Sequence, residues 1–194
     1  MSDPAGARRA HAEQVQARIL AVATEHLRHY GYDRTSLAQI GAALGLTRGA
    51  VLYHFRSKAD LLGALLTPFT AGLDQALTEL ETRRTGPRPA QVIDTVLDLL
   101  VANRLATELL TRDIASRHAL DLDAWSTTSA ARLVALLSPD SATDPAAAAR
   151  GYAALGALIR PLVSLPDPLP EPARPAIRRA ALNALRPPRG HHQT

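Results

Sequence analysis

The sequence predicts an all-helical chain of about nine helices, and three observations carry that prediction. Apolar residues recur at intervals of three and four, and nowhere in the alternation of a strand. Glycine and proline fall between the periodic runs, at Gly31, at Gly45, in RRTGPRP (83–89) and in LPDPLPEP (165–172). Residues that cap helices stand where the runs begin: Ser36, Thr47 and the pair Asp144-Pro145.

The first helix is expected from about Ala10 to Tyr30, where Val15, Ile19, Val22, Ala23, His26, Leu27 and Tyr30 form one stripe, and Gly31 ends it. The second lies in TSLAQIGAALG: Leu37, Ile40, Gly41 and Leu44 share a face, and Ser36 with Gln39 has the spacing of a capping box. Gly45 stops it, and Thr47 caps a third from Arg48 to about Phe55. Ser57 and Asp60 open a fourth, which should reach Leu80 with a bend at Pro68. Past RRTGPRP, helices are expected around Val92–Leu100, Leu105–Leu110 and Trp125–Leu137, then from Pro145 to about Val163, and finally along Ile177, Ala180, Ala181, Ala184 and Leu185. From about Pro187 the chain reads as a disordered tail.

Composition narrows the function. The 194 residues, 46% hydrophobic, are enough for a buried core in a small domain fused to a larger one. With no cysteine, disulfides and thiolate zinc sites are excluded, and the chain suits a reducing compartment. The N-terminal residues lack the apolar segment of a secretory signal, and no apolar run approaches the roughly 20 residues of a membrane span, so a cytoplasmic protein is expected. The net charge of +4 is unevenly placed: residues 1–60 hold 8 Lys/Arg against 5 Asp/Glu, and no acidic residue lies between Asp33 and Asp60, where Arg34, Arg48, Arg56 and Lys58 fall. Such a segment can approach a polyanion without like-charge repulsion, although a solvated basic face would have the same composition. Lys58 is the single lysine; every other basic side chain apart from histidine is arginine. A compact ammonium in a narrow space is one reason for keeping it.

Two short helices joined by a glycine-containing turn and preceded by a longer helix meet the requirements of a DNA-reading helix-turn-helix. With Val51 and Phe55 turned to the core, Gly49, Leu52, Tyr53 and Arg56 point outward. Arg48, beside the cap, suits the O6 and N7 of guanine, and Gly49 permits close backbone approach. The string TSLAQIGAALGLTRGAVLYHFRSKADLL resembles the DNA-binding segment of the TetR family of bacterial transcriptional regulators, through Gly31-Tyr32, Ile40, Gly45-Leu46-Thr47, Gly49, His54-Phe55, Ser57-Lys58 and Leu61-Leu62. The resemblance covers about residues 10–62; beyond it only length and helix rhythm agree.

The resemblance implies that Thr47, Arg48, Gly49 and Tyr53 contact bases or nearby phosphates and that Lys58 touches a phosphate. His54 would add a second phosphate contact, with Thr35 and Ser36 as donors at the start of the second helix. One departure from the family pattern is Leu52, which stands where a tyrosine is usual: it either meets a thymine methyl or packs against the first helix. For Lys58, pairing with Asp60 is the alternative to a phosphate. Arg8 and Arg9 read as either a minor-groove arm or a frayed terminus.

The division expected is a DNA-binding head at 1–56, a helical ligand-binding and dimerisation domain at 57–186 and the tail at 187–194. The larger domain shows no catalytic, cofactor or metal signature; His26 and His29 lack a third ligand. By resemblance it binds a small-molecule effector and forms a homodimer through its last two helices. Candidate ligand contacts are Asn103, Arg104, Thr107, Glu108, His118 and Trp125, polar or bulky interruptions of apolar helices, with Arg104 and Glu108 also spaced to pair with each other. Small residues at Ala149, Ala153, Gly156 and Ala157 allow a helix to come close, from a second copy or from within the subunit. The expectation is a non-enzymatic, ligand-responsive regulator, a repressor released from palindromic double-stranded operator DNA by its effector, without membrane attachment. The alternative is a helical interaction scaffold that retains an unused helix-turn-helix head.

Overall fold

The structure, a computed structural model, describes residues 4–187, so the expected tail lies almost wholly outside the described residues. Among the described residues there are ten α-helices, one short 3-10 helix and no strand. They divide into two compact units: the chain up to Pro68 with Glu108–Leu122, and Phe69–Thr107 with the chain from Asp123 onward.

In the first unit α1 (Pro4–Arg34) starts a turn and a half before the apolar stripe suggests. Residues 6–11 are all exposed, so no periodicity marks them; Pro4 at the first helical position and a run rich in alanine and arginine favour helix by propensity. Ile19, Ala23 and Leu27 bury its inner face. Gly31 breaks the helical geometry (φ 75°, ψ 175°), a conformation that disfavours any side chain. α2 (Leu37–Ala43) has the expected capping box at Ser36, and Thr47 caps α3 (Arg48–His54) through its side-chain oxygen, which accepts from the Ala50 N–H at 3.1 Å.

The turn between α2 and α3 is tight because Gly41 lacks a side chain. A methyl there would lie 2.9 Å from the Leu46 carbonyl oxygen and 3.1 Å from Val51 Cγ2. Val51 and Phe55 face inward as expected. α4 (Lys58–Glu81) continues as helix through Pro68, and its Leu61, Leu62 and Leu66 are fully buried, which carries the first unit beyond residue 56.

α5 (Pro89–Ala102), the C-terminal half of α4, α8 (Asp123–Leu137), α9 (Pro145–Ser164) and α10 (Ala173–Ala184) build the second unit around Val92, Ile93, Leu97, Leu133, Leu158 and Leu162. α9 and α8 approach closely at Gly151, where a methyl would meet Val134 Cγ1 at 2.8 Å. α6 (Arg104–Arg112) contributes to both units, and the six-residue α7 (Ile114–Ala119), capped by Asp113, belongs to the first. α7 is the helix that raises the number from nine to ten. IASRHA is too short and too polar to show an apolar stripe.

Candidate nucleic-acid interface

The outer face of α3 is set by its inner one. With Val51 buried, Arg48 and Gly49 are exposed at the start of the helix, Tyr53 is 84% exposed, and Leu52 and His54 lie half-buried on the flanks. The edge of the His54 ring meets Tyr53, with centroids 5.2 Å apart and planes at 89°. Burial of so large an aromatic surface is favourable, so a tyrosine left this open awaits a partner with both an apolar face and a hydrogen-bonding tip. Gly49 has no internal reason to be glycine: its φ is not positive, and an added methyl would meet only Thr47 Oγ1, at 3.8 Å. Thr47, Arg48, Gly49 and Tyr53 thus come together on one accessible edge, within a stretch of chain that carries no carboxylate.

The residues flanking this edge are differently placed. Ser36 is exposed, but its N–H and hydroxyl both donate to Gln39 Oε1 at 2.8 Å, and its oxygen accepts from the Gln39 N–H. Thr35 is buried, 1% exposed; its hydroxyl donates to the Gly31 carbonyl at 2.8 Å and its N–H to the Tyr32 carbonyl at 3.1 Å. In the free chain these two residues hold the α1–α2 corner. Lys58 is also turned inward: Nζ donates to the Tyr32 carbonyl at 2.8 Å and lies 3.9 Å from the centroid of the Tyr32 ring. Arg8 and Arg9 are exposed on the first turns of α1.

Tyr32 and Asp113 are the residues that sequence reasoning missed. The Tyr32 N–H donates to Asp113 Oδ2 at 2.7 Å, while Asp113 Oδ1 accepts from the Ser116 N–H at the start of α7. Burial, and secondarily the charge of Asp33, raise the Tyr32 phenol above its usual range. The sequence offers a weak signal for Asp113, an acid followed three residues later by serine, but none for a partner 81 positions away.

The ligand candidates are spread from the end of α5 to the start of α8 and make these contacts. Asn103 Nδ2 donates to the Leu99 carbonyl at 2.9 Å, and the Thr107 hydroxyl donates to the carbonyls of Leu100 and Asn103, so these two close the junction of α5 and α6. Arg104 is 6% exposed and its guanidinium caps the end of α9, donating to the carbonyls of Leu165 and Pro166, with Asp167 at 3.8 Å. Glu108 meets Arg28 at 3.5 Å. The Trp125 indole N–H donates to Asp74 at 2.9 Å, and its ring stands at 75° to that of Phe69 with centroids 6.4 Å apart. His118 is exposed on α7. An open groove of about 420 Å³ in the second unit is lined by Gly72, Gln75 and Glu79 of α4 and by Thr95, Asp98 and Leu99 of α5, none of them in that set.

Residues 19–65 match the family described as bacterial regulatory proteins, tetR family. The HTH-type transcriptional regulator TtgR of Pseudomonas putida is 42% identical over 55 residues, 28% of this chain and 26% of that one. The HTH-type transcriptional repressor Rv1474c of Mycobacterium tuberculosis is 36% identical over 55 residues, 28% and 29% of the two chains. The matches therefore span little more than a quarter of these relatives' length. Over almost the whole fold the chain is similar to the TetR family transcriptional regulator PfmR of Thermus thermophilus, with 22% identity, a TM-score of 0.67, and coverage of 89% of this chain and 100% of that one.

Proposed function

We propose that this chain, whose head is that of the TetR family, is a homodimeric DNA-binding transcriptional regulator, a repressor that leaves a palindromic operator when a small molecule binds. The observation that carries the reading is the outer edge of α3: Arg48, Gly49 and Tyr53 stand exposed, with no internal clash that calls for the glycine, in a segment free of acidic side chains. Arg48 supplies a fork for guanine in the major groove, Gly49 lets the backbone come near, and Tyr53 reaches the adjoining backbone. Leu52, half-buried, offers its outer side to a thymine methyl.

A two-fold dimer presents two such edges to successive major grooves, about 34 Å apart. Its support here is the outward stripe of α9. Ala149 and Ala153 are exposed, Tyr152 is 54% exposed, and an added methyl on Gly156 would meet nothing within 4 Å. Ala176 and Ala180 continue a small-residue face on α10. Helices with such faces pair closely, and an isologous interface fits the symmetry of a palindrome. Effector release then follows from linkage: a ligand preferring the geometry unfit for the operator weakens DNA binding, and DNA weakens ligand binding equally. No described helix is long and apolar enough to cross a membrane.

The test is retardation of the DNA upstream of the protein's own gene, measured at several salt concentrations. Binding that weakens steeply with salt is expected, because phosphate contacts release counterions. Absence of any retardation at low salt, with a dimer in solution, would instead favour the interaction scaffold.

A further inference from the structure

We infer that Lys58 and Asp113 serve DNA reading as positioning residues that bracket the backbone of Tyr32, and that neither touches the nucleic acid. The inference rests on the DNA-binding reading above and departs from the phosphate contact that the family resemblance gives Lys58.

The two peptide groups that flank the Tyr32 Cα are each held by a charged side chain. Asp113 Oδ2 accepts from the Tyr32 N–H at 2.7 Å, and Lys58 Nζ donates to the Tyr32 carbonyl at 2.8 Å. Hydrogen bonds with an ionised partner are about twice as strong as neutral ones. The same carbonyl accepts from the Thr35 N–H, and the Thr35 hydroxyl closes on Gly31, so the corner from Gly31 to Thr35 is built on the backbone of Tyr32. That corner delivers the chain to α2. Because Gly41 seats α2 directly on the start of α3, a shift at Tyr32 displaces the reading edge.

Both residue types are required by the geometry. Lysine fits because a slim ammonium can sit 3.9 Å from the ring centroid while reaching the carbonyl of the same residue; the wider guanidinium plane of arginine would have to displace one of these groups. A carboxylate fits because two N–H groups, of Tyr32 and Ser116, need two acceptor oxygens. Asparagine supplies one and must release either the corner or the cap of α7. The Arg28–Glu108 pair is a second tie between α1 and the α6–α7 segment within the same compact unit. A segment far downstream in sequence thereby holds the head's geometry.

The experiment uses the full chain carrying Asp113→Asn, Lys58→Met or both, with two readouts. Without DNA, amide exchange at Tyr32 and Thr35 is expected to accelerate in each single variant, and in the double variant no more than in the faster single. With DNA, each single variant should bind about tenfold more weakly at every salt concentration, the double no worse than about the weaker single, with the slope of log affinity against log salt unchanged. A phosphate contact by Lys58 would lower that slope by about 0.9 and make the two losses additive, which would overturn the proposal. Unchanged amide exchange in Asp113→Asn would overturn it as well. If Lys58→Met does not fold, Lys58→Arg decides: it spares affinity under a phosphate-contact role and loses it under positioning. Failure of the unaltered chain to bind any DNA would refute the DNA-binding reading, whereas the bracket itself is judged by the exchange data.

Discussion

Gly49→Ala should raise stability and lower DNA affinity in the same molecule. Inside the chain nothing opposes the methyl, whose nearest neighbour would be Thr47 Oγ1 at 3.8 Å. Glycine within a helix costs about 0.5–1 kcal/mol relative to alanine, and Gly49 lies in the first turn of α3, so a gain of about 0.5 kcal/mol is expected. That is about 1–2 °C in melting temperature for a chain of this size. Outside the chain, the methyl occupies the space through which the α3 backbone approaches the groove and pushes Arg48 from its base, a loss of about 1–3 kcal/mol in binding. Gly41→Ala is the control. Its methyl would lie 2.9 Å from a backbone oxygen, so it should destabilise the fold by about 1–3 kcal/mol. Thermal melts followed by circular dichroism and DNA titrations of both variants separate the two effects. A Gly49→Ala protein that binds as tightly as the unaltered chain would refute the assignment of this edge to DNA.

Four further outcomes are expected. Arg48→Ala should cost about 1–3 kcal/mol in operator affinity and relax preference at a single base pair, which a binding series over substituted sites would reveal; equal losses on all sequences would reassign it to the backbone. Gly156→Arg should leave the melting of each subunit nearly unchanged, turn the dimer into a monomer by light scattering, and weaken operator binding about a hundredfold or more through lost bivalency. Arg104→Ala should destabilise the protein by about 1–3 kcal/mol, because the carbonyls of Leu165 and Pro166 lose their donor; unchanged stability would return Arg104 to the ligand candidates. Hydrogen bonding to Arg132 lowers the Glu81 carboxyl, and bonding to Arg178 lowers that of Asp94, so their stabilisation is complete above the ordinary carboxylate pKa of about 4 and is lost as pH falls through the lower folded values. Glu81→Gln should remove part of the acid sensitivity of the melting temperature and little at neutral pH, since its partly exposed pair contributes only about 0.2–1 kcal/mol.

The helices were legible because their causes are local. Ser36 with Gln39, Thr47, and Asp144 before Pro145 each cap a helix within a few residues of their own position. The inner face of α3 followed from the spacing of Val51 and Phe55 alone. The contacts of Lys58, Arg104 and Trp125 were not legible, because each partner is a carbonyl, carboxylate or ring that the fold brings near. Lys58 meets a carbonyl 26 positions away, Trp125 a carboxylate 51 away and Arg104 a carbonyl 62 away. Polar side chains in apolar helices look alike in sequence whether they line a ligand cavity or close a helix junction.

The glycines of this chain show how the two cases can be told apart. Gly41 and Gly151 are explained from within, since a methyl at either would strike a neighbour at 2.9 or 2.8 Å. Gly49, Gly63, Gly72 and Gly156 are not, since each sits in a helix where a methyl would meet at most an ordinary contact. Beside Gly63 and Gly72 that contact is a packed leucine, Leu120 Cδ2 at 3.9 Å and Leu99 Cδ2 at 3.5 Å, whereas no other helix comes within 4 Å of a methyl at Gly49 or Gly156. One such position lies on the reading edge of α3 and the other on the small-residue face of α9. A scaffold needs only the second surface, and a monomeric DNA-binding module only the first. A regulator that reads a palindrome requires both, and an open glycine on each surface agrees with the proposed function.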